Sequence, residues 1–416
     1  MRNLQSRIYE NTPIFVQNVL TSWNGYRKTR SRYGNLYYSF LIELEKRQYL
    51  NEHHAKKYQE QELQRLLRYV TEKSPFYKEF YKNIDIEKIR TVEDLKTLPV
   101  LDKEILLHNI QDIYTVTENT AAESGVTYEK GNVLKLLFTK EDVQKKKAFL
   151  DFFKKQHGAV NLEMKRASFS SRHIIPDNQP GKIFWRDNYF VRQRIYSSYY
   201  CTQENAAAYI EDLEKYKPDF IDGLPSAIYE LAKFINRNKL ILTFKPVAIF
   251  SVAENVLPEC RKEIEEAFDC PLRDRYSSSD AAPFVMECVK GRMHYNLYSG
   301  VIETTEEGKM IVTSFNNYGT PLIRYDIGDR VEFPEIDAGC ECGSVHPVFE
   351  KIFAKPFRQP RSVSDGNLST GYYPDPVHKV QGTLNKFHLF SNKFLLFKEG
   401  SGNTWFSSIT KKSAID

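Results

Sequence analysis

Apolar residues recur with a helical period between residues 36 and 81, in a background of Leu, Glu, Lys and Gln. The pattern is clearest from Gln59 to Val70, just ahead of a stop at Ser74 and Pro75, so helices are predicted here, packed on or leading into a larger body. Leu98 to Lys103 reads as a turn that opens a helix, and residues 121 to 131 as a polar, glycine-containing loop. Val133 to Phe138 has the composition of a strand. Thr139 to Asp142 has the form of a capping box, starting a helix with Val143, Phe149 and Phe152 on its apolar side.

Strands and helices keep alternating: a strand at Phe220 to Leu224, a helix over 226–237, a short strand at Pro246 to Phe250 and a helix over about 256–268. After Pro271 to Tyr276 the reading becomes mainly short strands joined by turns, with Gly300 to Glu303, Lys309 to Thr313 and Asp329 to Phe333 the clearest. An α/β class with two subdomains around one cleft is predicted. No repeat period is present. Beyond Ile352 the texture changes: residues 353–416 hold nine Lys or Arg against four Asp or Glu, with many Gly, Ser, Asn and Pro. Only Phe387 to Phe397 is apolar enough to pack, so the expected division is a body over 1–352 and a small terminal unit over 353–416.

A chain of 416 residues can bury a substantial core, and its 26 Tyr and 27 Phe suit packed cores and flat clefts. Arg2 and Arg7 near the start precede no apolar run of signal length, and no stretch reaches transmembrane length, so a cytoplasmic location is expected. The formal charge of +5 is mild, with no nucleic-acid-binding module beside it, and no nucleic-acid partner is expected. The basic runs Lys145 to Lys147 and Arg27 to Arg32 could touch nucleic acid or an anionic membrane, but a charge run reads first as a solvated face.

Six cysteines are a poor disulfide framework for this length but enough for one metal site. Cys288 and His294 have five residues between them, and Cys340 and Cys342 flank a single residue ahead of Gly343. Two thiolates so close need a tight turn to face one ion, which a glycine permits. Three sulfurs and an imidazole favour zinc over magnesium or calcium, and four filled positions leave no open one, so the expected role is structural. Read singly, each cysteine is a small buried hydrophobe and His294 a satisfied histidine.

Two segments have the chemistry to hold a nucleotide. Ser124, Gly125 and Thr127 can offer hydroxyls and backbone N–H groups to phosphate oxygens, although the same residues also make ordinary turns. No Gly-Lys-Ser/Thr follows, which excludes a Walker loop. From Tyr318 to Arg330, Asp326 and Asp329 flank Gly328 at a bend, where one carboxylate can accept from both ribose hydroxyls while Arg324 or Arg330 pairs with phosphate. An acidic surface turn is the alternative. Tyr276 suits the face of a base and Asp280 a magnesium ion, although Tyr276 to Asp280 also reads as a helix cap.

Here the sequence resembles the adenylate-forming enzymes, in the phenylacetate-CoA ligase and CapK-like branch associated with polysaccharide biosynthesis. The likeness runs over roughly residues 10–352: Gln59 to Tyr77, Asp94 to Pro99, Tyr216 to Pro218 with Gly223 to Ser226, Ser251 to Glu254, Tyr276 to Asp280, and Pro321 to Tyr325 with Gly328 and Asp329. It implies a large multi-subdomain N-terminal body with a short, divergent C-terminal lobe. It also implies ATP, Mg2+ and a carboxylic acid in the cleft, with an acyl-adenylate formed and then intercepted by CoA, a carrier thiol or an amine; a homodimer is compatible with it. By the same resemblance Asp329 matches the ribose-binding Asp, Arg324 the arginine of that loop, Tyr276 the adenine-side aromatic and Asp280 the magnesium-associated acid. Ser124, Gly125 and Thr127 match the phosphate loop, and Cys288, His294, Cys340 and Cys342 the zinc ligands of the branch.

The chain departs from the pattern in places. Tyr128 and Ser277 stand where the family usually has Gly, and Asp280 where it has Glu. Phe353 to Arg358 lacks the Gly-Arg and Asp-Asp hinge signature, only 64 residues follow Ile352, and Lys393 and Lys398 are among the lysines available there by composition. Two further readings are a nucleotide-binding or scaffold protein that keeps the fold without turnover, and a transferase using an activated donor.

Overall fold

Four helices lead into the fold: α1 (Ile14–Arg32), α2 (Asn35–Arg47), α3 (Glu52–Lys73) and α4 (Pro75–Phe80). The structure, a computed structural model, describes residues 9–353 except 130–131, 177–178, 180, 277–281 and 335–338, and beyond them the backbone of five short strands. The breaks among the helices have local causes. Asn51 accepts a hydrogen bond from His54 N (3.1 Å) to start α3, and the Ser74 hydroxyl accepts from Tyr77 N (3.4 Å) at the Pro75 start of α4. Along α3, Ala55, Gln59, Leu63, Leu66, Leu67 and Val70 form the buried stripe. Each fully buried Leu contributes on the order of 1.5–3 kcal/mol. Gln59 is tolerated there because its Nε2 donates to Tyr295 Oη (2.9 Å) and to the Gly300 carbonyl (2.7 Å).

Helix α5 (Lys103–Ile113) is capped by Asp102, which accepts from Ile105 N at 2.8 Å. A hairpin of β1 (Glu123–Glu129) and β2 (Asn132–Phe138) follows, and then α6 (Lys140–Gln156), whose capping box forms as expected. The expected polar loop over 121–131 is therefore largely strand. Apolar residues of β2 set the pairing, and the serine, glycine and threonine of β1 follow its register. The run Lys145 to Lys147 is not a solvated face. Lys145 pairs with Glu141 at 2.9 Å, Lys146 stands 3.6 Å over the Phe138 ring and Lys147 binds Asp151 at 2.6 Å.

The largest sheet holds β3 (Arg166–Ser170), β4 (Trp185–Asn188), β5 (Gln193–Ser197), β6 (Phe220–Gly223), β7 (Ile249–Ser251) and β8 (Leu272–Arg273), in the order β4-β5-β3-β6-β7-β8. All neighbours are parallel except β4 with β5. Phe169, Ile221 and Ile249 share one core with Leu213, Ile228 and Ile264 of the helices α7 (Ala206–Tyr216), α8 (Pro225–Arg237) and α9 (Pro258–Phe268). The other face is mixed: Phe220 and Phe250 belong to the main core, and buried polar groups lie beside them. There Asp222 Oδ2 meets Lys154 of α6 at 2.5 Å and Oδ1 accepts from the Ser168 hydroxyl at 2.5 Å. Burial would push the Asp222 carboxyl up, but Lys154 and Arg166 outweigh it and hold it well below the usual carboxylate range. Polar residues on this face, with Gln193 Nε2 donating to the Ser168 hydroxyl at 2.8 Å, are why the period-two pattern does not reveal β3 and β5.

Antiparallel structure completes the body: β9 (Arg275–Tyr276), β10 (Val285–Glu287), β11 (Met293–Tyr295), β12 (Gly300–Thr304), β13 (Lys309–Ser314), β14 (Tyr325–Glu332), β15 (Val348–Phe349) and β16 (Lys351–Phe353). They make two four-stranded sheets, β15-β11-β10-β9 and β12-β13-β14-β16. The α/β class expected from the sequence is borne out. Past Phe353, Lys386–Phe390 pairs with Lys393–Phe397, inside the stretch marked as apolar. No helix among the described residues is long and apolar enough to cross a membrane.

Candidate active site and metal centre

Tyr276 and Asp329 meet although 53 residues separate them: the phenol donates to Asp329 Oδ2 at 2.7 Å. Strand β14 makes this contact by bulging. Between Asp326 and Arg330 it runs two residues longer than β13 opposite, and Gly328 takes a left-handed φ of 78° while its N–H donates to Asp326 Oδ1 at 2.9 Å. The expected acidic bend is thus a bulge inside a strand, which leaves Asp326 half-buried and Asp329 buried. A buried carboxylate beside an aromatic hydroxyl can accept from vicinal hydroxyls of a sugar.

The hairpin carrying Ser124, Gly125 and Thr127 is lashed to the segment that leads into β14. Asp142, fully buried at the start of α6, accepts from Tyr318 N (2.7 Å) and Gly319 N (2.9 Å) while also capping Thr139 N (2.8 Å). Leu137 of β2 exchanges hydrogen bonds with the Thr320 hydroxyl at 2.8 and 3.1 Å. Gly319 is required at this approach, since a Cβ would lie 2.4 Å from the Leu137 carbonyl oxygen. At the outer strand Glu123 accepts from Arg32 of α1 at 2.6 and 2.8 Å. Burial raises the Glu123 carboxyl, and Arg32 more than reverses this to hold it below its ordinary range. Sequence marked Asp142 as a cap and nothing more; the Arg32–Glu123 pair left no signal.

Arg324 or Arg330 is the residue expected to pair with phosphate; Arg330 Nη2 donates to the Glu307 carbonyl at 2.6 Å, and Arg324 is held by protein groups. Its Nε and Nη2 bind the two oxygens of Glu303, each at 3.0 Å, and Nη1 donates to the carbonyls of Lys96 (3.1 Å) and Leu98. The backbone continues the tie, with Leu101 N donating to Arg324 O at 2.9 Å and Asp326 N to Leu101 O at 3.0 Å. With both guanidinium edges engaged by protein, Arg324 positions β14 against the segment before α5. Asp280 lies outside the described residues, and Thr127 is described in its backbone alone.

The four metal-competent residues converge, their ligand atoms all within 4.8 Å of one another. Cys288 Sγ lies 3.8 Å from Cys340 Sγ, and Cys342 Sγ 3.4 Å from His294 Nε2. A tetrahedral zinc with Zn–S of about 2.3 Å and Zn–N of about 2.0 Å requires about 3.8 and 3.5 Å for such pairs. Turns present the sulfurs: Gly291 N donates to Cys288 O at 2.9 Å, Lys290 N to Cys288 Sγ at 3.3 Å, and Gly343 N to Cys340 O at 3.0 Å with Gly343 at a φ of 76°. The His294 ring is oriented by its Nδ1, 2.8 Å from the His346 carbonyl, which leaves Nε2 to the cluster. Burial lowers the His294 pKa and so favours the neutral ligand form. None of the six cysteines is in a disulfide.

The cluster sits where it can brace the strands that carry Tyr276 and Asp329. Cys288 follows β10 and His294 lies in β11, in the sheet whose edge strand β9 ends in Tyr276; Cys340 and Cys342 lie in the connection that leaves β14, the strand of Asp329. Glu287, 3% exposed, fixes the same corner. It accepts from Arg261 (2.7 Å), Arg273 (3.1 Å) and Asp274 N (2.9 Å).

No family model matches the chain. It is 36% identical over 331 residues to the Protein CapK of Staphylococcus aureus, which covers 78% of this chain and 72% of that one. Among solved structures, 2-hydroxyisobutyryl-CoA ligase in the postadenylation state with R3-HIB-AMP superposes with a TM-score of 0.58 at 17% identity, over 73% of this chain and 68% of that one. The same ligase with 2-HIB-AMP and CoA in the thioesterification state gives 0.57 at 17%, over 74% and 70%. The fold is shared with these ligases, and the identity to CapK spans most of both chains. The protein belongs to the CapK family, on the adenylate-forming fold.

Proposed function

We propose that the protein uses ATP and Mg2+ to adenylate a carboxylic acid. The observation that carries this reading is the 2.7 Å hydrogen bond between Tyr276 and the buried Asp329, on a segment tied through Asp142 to the hairpin of Ser124 and Gly125. Asp329 accepts from the ribose hydroxyls, with Tyr276 orienting that carboxylate and bounding the adenine side. The hydroxyls and N–H groups of Ser124, Gly125 and Thr127 hold phosphate oxygens, and Asp280 belongs with the magnesium that screens their charge. An oxygen of the substrate carboxylate attacks the α-phosphorus, the bond to the bridging oxygen breaks, and pyrophosphate leaves with its electron pair. Such chemistry depends on positioning and on charge stabilisation at phosphorus, which a preorganised cleft supplies.

The acyl-adenylate then meets CoA, a carrier thiol or an amine; the CoA bound to the structurally related 2-hydroxyisobutyryl-CoA ligase supports the thiol. Zinc in the Cys288, His294, Cys340 and Cys342 cluster acts as a brace and takes no part in the reaction. A cytoplasmic enzyme of polysaccharide biosynthesis, working as a homodimer, fits the family. The test is ATP–pyrophosphate exchange against a panel of carboxylic acids, with exchange expected for one class of them. No exchange with any acid, together with no ATP binding, would replace this reading with that of a scaffold.

A further inference from the structure

Helix α1 is amphipathic the wrong way round for a protein surrounded by water. Its inward side is polar: Gln17 and Ser22 are buried, Gln17 Oε1 accepts from Arg186 Nε at 2.6 Å, and Ser22 Oγ accepts from Tyr189 N at 3.0 Å. Gly25 lies so close to Asn188 that a Cβ would come within 2.3 Å of it. The outward side carries Phe15, Val19, Leu20 and Trp23, which are 69, 58, 40 and 56% exposed. Phe15, Val19 and Trp23 follow one another at a spacing of four, in one row on the helix. Tyr26 continues it, its ring 5.7 Å from Trp23 and 5.1 Å from Phe190, itself 59% exposed. A contiguous row of this size marks an interaction surface rather than scattered surface apolarity.

The charge pattern selects the partner. Residues 14–32 contain Arg27, Lys28, Arg30 and Arg32 and no acidic residue. Lys28 and Arg32 face inward, Arg32 to Glu123, whereas Arg27 and Arg30 are exposed beside the aromatic row. Neither of these two forms an ion pair among the described residues. We propose that this face of α1 docks on an anionic lipid bilayer, with the aromatic row at the acyl boundary and Arg27 and Arg30 among the headgroups. Tryptophan, tyrosine and phenylalanine beside unpaired arginines are the chemistry of that interface. A second copy packed face to face on α1 would offer these arginines no acidic residue of that helix.

Flotation of the full chain with phosphatidylcholine vesicles, and with vesicles containing phosphatidylglycerol as well, tests the proposal. The chain should float with the anionic vesicles and not the neutral ones, and less as salt rises. Arg27→Glu with Arg30→Glu should weaken partitioning by roughly tenfold or more, and Phe15→Ser with Trp23→Ser should abolish it, each with a wild-type thermal midpoint. If the apolar pair fails to fold, the charge-reversed pair and the lipid dependence of the wild type still decide. Three results would overturn the proposal: no flotation with anionic vesicles, equal flotation of the variants, or a concentration-dependent dimer that Phe15→Ser with Trp23→Ser dissociates.

Discussion

At Asp329, a carboxylate that sequence reasoning could single out acquires a partner that it could only place in the same region. The Tyr276 phenol is positioned to donate to it. Tyr276→Phe keeps the ring and removes one hydrogen bond to a charged acceptor, so the KM for ATP should rise roughly tenfold, with kcat less affected, in the exchange assay. Arg324 behaves differently. Its side chain and that of Glu303 are 12 and 9% exposed, so Arg324→Ala leaves a carboxylate buried without its counter-charge. A loss of about 3 kcal/mol is expected in denaturant unfolding; an unchanged midpoint with exchange abolished would put Arg324 back on a phosphate. Arg324 was legible as a residue of the motif, but half of what it holds is backbone carbonyl, and carbonyls of Lys96 and Leu98 leave no mark on composition.

Among the elements, those whose apolar residues face a core were the most legible: α3, α6, α8 and α9 all fall where the period places them. Strand β1 reads as loop because Ser124, Gly125 and Thr127 are turn residues, and its pairing comes from β2. The bulge at Gly328 was visible as a bend, whereas its setting inside an eight-residue strand depends on β13. The metal cluster was legible in its residue types; its closure needs the turns at Gly291 and Gly343. Purified protein should carry about one zinc per chain. Cys342→Ser should lose the metal and lower the thermal midpoint by roughly 5 °C or more, read by calorimetry with metal analysis; a metal-free wild type of full stability would sink the assignment.

For the molecule as a whole, we propose that the body over 1–352 and the segment after it carry separable parts of the reaction, the body holding the nucleotide and the segment supplying a lysine, such as Lys393 or Lys398, to the substrate carboxylate. A chain ending at Ile352 should still bind ATP, because Asp329, Tyr276 and the hairpin are retained, while exchange falls by roughly a hundredfold for want of a cationic group from the terminal segment. Full exchange by that shortened chain would place every reacting group within the body.

The ties between early and late parts of the chain bear on how the protein is made. Gln59 donates to the Gly300 carbonyl, the Tyr77 hydroxyl to the Pro321 carbonyl, and Leu101 pairs with Tyr325. Asp142 receives Tyr318 and Gly319. During synthesis these groups leave the ribosome long before their partners, so α3 and the hairpin remain incompletely satisfied until residues 300–326 have emerged. Contacts of such long sequence separation form late and slowly, and the proposed nucleotide site becomes one of the last parts of the body to exist.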